Sequence, residues 1–101
     1  MSAQDRIKKM VEENKVFLFM KGTPDFPQCG FSMRAAAIVK ALDVPYGSFD
    51  VLSDPEIRNG VKDFAQWPTI PQLYINGEFI GGSDIVMELW ENGELEKLVA
   101  S

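Results

Sequence analysis

Cys29 carries the most chemistry of any residue in this sequence. It lies in the stretch Lys21-Gly22-Thr23-Pro24-Asp25-Phe26-Pro27-Gln28-Cys29-Gly30-Phe31-Ser32. An apolar run, Val16-Phe17-Leu18-Phe19-Met20, precedes the stretch and helically spaced residues follow it, so Cys29 falls near a strand-to-helix junction. Unpaired N–H groups and partial positive charge at a helix N-terminus favour an anion such as a thiolate. Cysteines placed this way have pKa values lowered to roughly 3.5–7.5. A lone cysteine is otherwise commonly a small buried hydrophobe. Here Pro27, Gln28 and Gly30 make a polar, turn-prone setting, and Lys21 ends the preceding strand. The reading is a reactive or metal-binding thiolate.

The rest of the chain narrows what that thiolate can do. There is one cysteine and no histidine, which removes Cys-His nucleophilic pairs and histidine metal sites. No phosphate-cradling glycine motif is present. Ser32 stands where a redox dithiol would carry its second cysteine. A mixed disulfide on Cys29 therefore has to be resolved by an external thiol. A two-iron cluster needs four thiolate ligands. Two copies of the chain supply two, leaving two for small thiols or another protein; a glutathione-bridged dimer meets this count. Its anionic load calls for cations and backbone N–H donors, for which Lys21, Arg58 and the Ser83-Asp84 helix start are available. Each also has an ordinary role, as a solvated charge or a helix cap.

Composition sets the frame. A chain of 101 residues with 46% hydrophobic and 25% charged residues is expected to form one globular domain over residues 1–101. A net charge of −5 argues against nucleic-acid binding. No apolar run approaches a membrane span, and Met1 to Asp5 lacks signal-peptide or transit-peptide character. The expected compartment is the cytoplasm, or an organelle matrix if a presequence has been removed.

The elements that position Cys29 follow in order. Ser2 to about Asn14 reads as a helix with Ile7, Met10 and Val11 on one face, capped by Ser2 or Asp5. Val16 to Met20 suits a strand buried on both faces. Gly22 to Gln28 is a proline-constrained loop. Phe31, Ala35, Ile38, Val39 and Leu42 mark the packing side of a helix, and Tyr46 to Val51 a second strand. Ser53 with Glu56 fits a capping box, or Asp54 caps with Pro55 at the first helical position. Ile57, Val61 and Phe64 form that helix's buried stripe, with Arg58 off it. Two short β runs around Asn76-Gly77 make a hairpin. Ser83 or Asp84 starts a helix through Trp90, and Glu94 to Ala100 forms a last short one. Strands separated by helices, then a hairpin, imply a mixed sheet covered by helices.

Four segments in register carry a family likeness: Lys21-Gly22-Thr23-Pro24, Pro27-Gln28-Cys29-Gly30-Phe31-Ser32, Trp67-Pro68-Thr69-Ile70-Pro71-Gln72-Leu73-Tyr74, and Gly77-Glu78-Phe79-Ile80-Gly81-Gly82-Ser83-Asp84-Ile85. Over essentially its whole length the chain resembles the monothiol glutaredoxins of the Cys-Gly-Phe-Ser class. The resemblance implies an α/β thioredoxin fold, a four-stranded mixed sheet with helices on both faces, and a cis Ile70-Pro71 peptide. It implies that Lys21 and Arg58 bind the glycine carboxylate of glutathione and that the Ile70 backbone pairs with its cysteinyl part. Ser83 and Asp84 would hold the γ-glutamyl end. Cys29 would be the iron ligand or the exchanging thiol. Many members have a cysteine where this chain has Ser83, so a disulfide at that position is excluded.

Three functions follow as expectations. The leading one is a homodimer bridging one [2Fe-2S] cluster through two Cys29 thiolates and two glutathiones, for cluster storage and transfer to apo-proteins, with a BolA-like protein as an alternative partner. The second is weak glutathione-dependent reduction of mixed disulfides by a monothiol route. The third is a binding module in which Cys29 is structural.

Overall fold

In a computed structural model describing residues 2–100, the chain folds around the five residues of β1, Val16–Met20, all buried. Alternation along a strand sends successive side chains to opposite faces. Val16, Leu18 and Met20 pack with α2 (Gly30–Ala41), α4 (Ser83–Glu91) and α5 (Glu94–Ala100). Phe17 and Phe19 pack with α1 (Ala3–Glu13) and α3 (Pro55–Ala65). A strand buried on both faces reads as a continuous apolar run, as this one does.

The sheet has the order β2-β1-β3-β4, with β2 at Gly47–Asp50, β3 at Gln72–Ile75 and β4 at Glu78–Gly81. β1 runs parallel to β2 and antiparallel to β3, and β3 pairs antiparallel with β4. This is the thioredoxin-type mixed sheet with helices on both faces. The β3–β4 turn has Asn76 at φ 54° and Gly77 at φ 79°, the left-handed pair that a two-residue hairpin of matching twist requires. No helix among the described residues is long and apolar enough to cross a membrane.

The caps resolve the open alternatives. Ser2 caps α1 by accepting the Asp5 N–H. Asp54 caps α3, with Pro55 in the first turn, and its carboxylate also holds Arg6 at 2.9 Å. The hydrogen bond from Arg6, joined by the Glu56 and Ile57 N–H groups, outweighs partial burial and lowers the Asp54 pKa below the ordinary carboxylate value. β2 is shorter than the expected Tyr46–Val51, because Val51–Ser53 form a 3-10 turn capped by Asp50.

Two expectations are corrected. Phe31 is not on the packing side of α2: it is 56% exposed, with the Arg34 guanidinium 5.8 Å from its ring centroid. It occupies the first turn of α2, where its side chain lines a surface groove instead of entering the core. Neither Ser83 nor Asp84 caps α4. The cap is Gly82, without a side-chain bond, and a Cβ there would meet the Trp67 indole nitrogen at 3.1 Å. A larger residue at the cap would crowd the indole, and Ser83 stands at the first helical position.

Candidate functional site

Three elements converge on Cys29. β1 delivers Lys21, α2 begins immediately after the thiol, and the segment between β1 and α2 is tied down at several points. Gly22 and Pro27 form an isolated bridge, and Gln28 N–H donates to Lys21 C=O at 2.9 Å. The Lys40 ammonium donates to Pro24 C=O at 3.0 Å. Asp50, at the end of β2, accepts the N–H groups of Gly22 and Leu52, each at 2.9 Å. Gly22 has φ 87°, and a Cβ on it would lie 2.5 Å from Phe26 O. Gly22→Ala should therefore lower stability by roughly 1–3 kcal/mol, read from denaturant midpoints. An unchanged midpoint would mean that the loop is not held in this geometry.

Cys29 is the N-cap of α2, in extended backbone conformation. Its Sγ accepts the Ser32 N–H at 3.3 Å and lies 3.3 Å from Ser32 Oγ. Ser32 is fully buried, and its oxygen accepts the Lys21 N–H at 3.0 Å. With that lone pair taken, the hydroxyl proton is free to point at sulfur. Burial pushes the thiol pKa up. The Ser32 hydroxyl and N–H, the Phe31 N–H and the Lys21 charge together outweigh it, and the thiol pKa is lowered from its ordinary value. A thiolate stabilised this way has the chemistry a nucleophile or a metal ligand requires.

Beside the thiol is a groove of about 410 Å³, lined by Lys21, Phe31, Arg58, Lys62, Ile70 and Asp84 among others. Lys21, Arg58 and Lys62 make no ion pair with a carboxylate among the described residues. In a chain of net charge −5, three uncompensated cations facing one groove make an anion-attracting surface. Asp84 supplies the one acid, from the first turn of α4. The groove is thus lined by three cations, from the end of β1 and from α3, and by one acidic group from α4. Zwitterionic ligands with a carboxylate at one end and an ammonium at the other match that polarity.

Of the residues singled out in the sequence, the groove brings together Lys21, Arg58, Ile70 and Asp84. Cys29 lies outside its lining, next to Lys21 and Phe31. Ser83 lines a smaller neighbouring recess of about 250 Å³ with Trp67 and Gly82, which shares Thr69 and Asp84 with the groove. Ser83 Oγ and Trp67 Nε1 are both buried without a hydrogen-bond partner. The Ile70-Pro71 peptide is cis, as the family likeness implied.

Sequence reasoning missed Lys62 and Gln72. Lys62 is one helical turn beyond Arg58, and that spacing alone puts both on one face of α3. Gln72 is fully buried in β3. The signal for it is a polar residue opening an apolar strand, a position that burial makes costly unless every amide atom is paired.

Metal chemistry by this chain alone is restricted by its donor set. Among the described residues no three His, Cys, Asp or Glu side chains gather as a metal site. One sulfur ligand is what the chain offers at the groove.

The comparisons with known proteins agree with this geometry. The glutaredoxin family profile matches residues 16–80. An uncharacterized monothiol glutaredoxin of Synechocystis sp. is 54% identical over 94 residues, 93% of this chain and 88% of that protein. Glutaredoxin 4 of Haemophilus ducreyi is 48% identical over 99 residues, 98% of this chain and 92% of that protein. Monothiol glutaredoxin-S17 of Arabidopsis thaliana is 52% identical over 95 residues, but this chain spans only 20% of its length. Among solved structures, reduced poplar apo GrxS14 superposes with a TM-score of 0.84 at 48% identity, covering 96% of this chain and 89% of that one. With its one thiol at the cap of α2 and these relatives, the chain belongs to the glutaredoxin family, among its monothiol members.

Proposed function

We propose that this monothiol glutaredoxin binds glutathione in the groove beside Cys29 and, as a homodimer, carries a [2Fe-2S] cluster as cargo to apo iron–sulfur proteins. The observation that carries this reading is a stabilised thiolate with no second cysteine, set beside a groove lined by three cations. Lys21 and Arg58 would take the glycine carboxylate of glutathione, the Ile70 backbone its cysteinyl part, and Ser83 with Asp84 its γ-glutamyl end. Glutathione supplies thiolates that the chain lacks. Each Cys29 Sγ would give one ligand, so two chains and two glutathiones complete the four that a two-iron cluster needs. A BolA-like protein is proposed as an alternative to the second copy. The compartment we propose is the cytoplasm or an organelle matrix, where glutathione keeps a lone thiol reduced.

Anaerobic reconstitution with iron, sulfide and glutathione tests the reading. A brown dimer of two chains, two glutathiones and one two-iron cluster, by visible spectroscopy and native mass, is the expected result. A colourless monomer would overturn it.

The lowered pKa of Cys29 favours a second reading, monothiol reduction of mixed disulfides. The Cys29 thiolate would attack the glutathione sulfur of a substrate mixed disulfide and expel the substrate thiolate. A second glutathione thiolate would then attack the Cys29-linked glutathione, leaving as oxidised glutathione and restoring Cys29. Turnover of a glutathionylated peptide comparable to that of a dithiol glutaredoxin would place this activity ahead of cluster carriage.

A further inference from the structure

Gln72 lies beneath the site without touching the groove. It is the first residue of β3, immediately after the cis Ile70-Pro71 peptide, and its side chain is fully buried. The side-chain nitrogen donates to Trp67 C=O and to Thr69 C=O, each at 3.2 Å. The side-chain oxygen faces the Tyr74 hydroxyl, which donates at 3.4 Å. Tyr74 is fixed in turn by Phe19, Phe64 and Phe79, whose ring centroids lie 5.6–6.0 Å away. All the hydrogen-bonding atoms of one buried amide are thus used, and both of its protons go to the segment between α3 and β3.

That segment forms one wall of the site. Pro68, Thr69 and Ile70 line the large groove, and Trp67 and Thr69 line the adjoining recess. It is neither helix nor strand, and no ladder hydrogen bond holds its carbonyls. Carbonyls without ladder partners can rotate, and a backbone edge that rotates loses its match to an extended ligand. The Gln72 amide pins two of them from the core side, which leaves the Thr69–Ile70 edge facing the groove.

We infer that Gln72 is a positioning residue: through its two donated hydrogen bonds it sets the Trp67–Ile70 wall in the orientation that pairs with a peptide-like thiol ligand. The inference rests on the reading that glutathione occupies the groove. It adds to that reading a residue that makes no contact with the ligand. The groups that tune the thiol come from Ser32, Phe31 and Lys21, none of them in this wall. Ligand affinity and thiol reactivity therefore have separate supports, and substitution at Gln72 should separate them.

The test is Gln72→Met, which keeps volume and removes both donors, beside Tyr74→Phe, which keeps both donors and removes the other hydrogen bond of the amide. Reduced glutathione is titrated anaerobically into each folded protein by calorimetry, and Cys29 alkylation by iodoacetamide is followed across pH. In Gln72→Met the Kd should rise about tenfold, as expected for losing two neutral hydrogen bonds to an ordered wall, while the alkylation profile stays that of the unsubstituted protein. Tyr74→Phe should keep the affinity within about twofold. An unchanged Kd in Gln72→Met, or a parallel loss of thiol reactivity, would overturn the inference. If Gln72→Met does not fold, the side-chain amide protons of Gln72 in the unsubstituted protein are followed by NMR during the titration. They should shift towards saturation with the binding curve, and protons unmoved at saturation would overturn it too. Failure of the unsubstituted protein to bind glutathione would instead refute the reading of the groove.

Discussion

Cys29→Ser should yield a colourless protein on anaerobic reconstitution and reduce turnover of a glutathionylated peptide to the uncatalysed background. The argument separates fold from chemistry. Serine is among the best helix N-caps, and its oxygen can accept the Ser32 N–H that sulfur accepts at 3.3 Å. The first turn of α2 should therefore keep its geometry, with a Tm within a few degrees of the unsubstituted protein. What disappears is the soft, polarisable thiolate. An alcohol stays protonated near neutral pH, is a poor nucleophile towards disulfide sulfur, and does not replace a thiolate on iron. No second cysteine or histidine exists to take over. A cluster that still assembled on the Cys29→Ser protein, with two glutathiones per dimer, would sink the carrier proposal, because the count of protein ligands would then be zero.

The fold was legible because its central strand carries so little ambiguity. Val16–Met20 is apolar throughout, which means cover on both faces, and the Asn76-Gly77 pair fixes the hairpin that follows. Of the two caps open for α3, Ser53 with Glu56 or Asp54 with Pro55, the structure has the second. The errors share one physical origin. Phe31 has the spacing of a packing residue, yet its side chain lies on the surface beside the groove while Ser32 next to it is buried. Periodicity reports the face of a helix and says nothing about how far the core extends beneath it. Ser83 has the identity of a cap, yet the cap is Gly82, one residue earlier, beside the Trp67 indole that a larger cap residue would crowd. Local propensity cannot register a contact that only tertiary structure creates.

The site divides in the same way. Cys29, Lys21, Arg58, Ile70 and Asp84 were named from the sequence because each belongs to a motif or carries a charge. Ser32 was visible only as the place where a dithiol would have its second sulfur. Its hydroxyl meets both the Lys21 N–H and the thiol, an arrangement that needs coordinates to be seen. Gln72 was hidden for a related reason. A buried amide is recognisable as purposeful only when both carbonyls it serves are located.

Ser32→Ala should raise the Cys29 pKa and slow its alkylation near neutral pH by roughly tenfold, the loss expected for one hydrogen bond to a charged atom. Of the groups that lower this pKa, the Ser32 hydroxyl is the largest contributor, and it is the one the substitution deletes. The Ser32 and Phe31 N–H groups remain, so the thiol should stay below the value that burial alone would give. At high pH, where the thiolate forms completely in either protein, the two rates should converge. Stability offers a second readout with a definite sign. A thiol whose folded pKa lies below its unfolded value of about 8.5 binds fewer protons folded than unfolded between those two pKa values. The reduced protein should therefore gain stability as pH rises through that window, hold the gain above it, and lose it as pH falls through the folded pKa. In Ser32→Ala the window narrows and the gain shrinks. Removing the hydroxyl also leaves the Lys21 N–H without its acceptor, which lowers stability at every pH and is recognised by being independent of pH. Ser32→Thr restores an oxygen at the same position and should recover the alkylation profile if the buried site admits its methyl group. Identical pH profiles for Ser32→Ala and the unsubstituted protein would show that the N–H groups of the helix N-terminus and the Lys21 charge tune the thiol without the hydroxyl. The Ser32 hydroxyl would then be a packing feature without a chemical role.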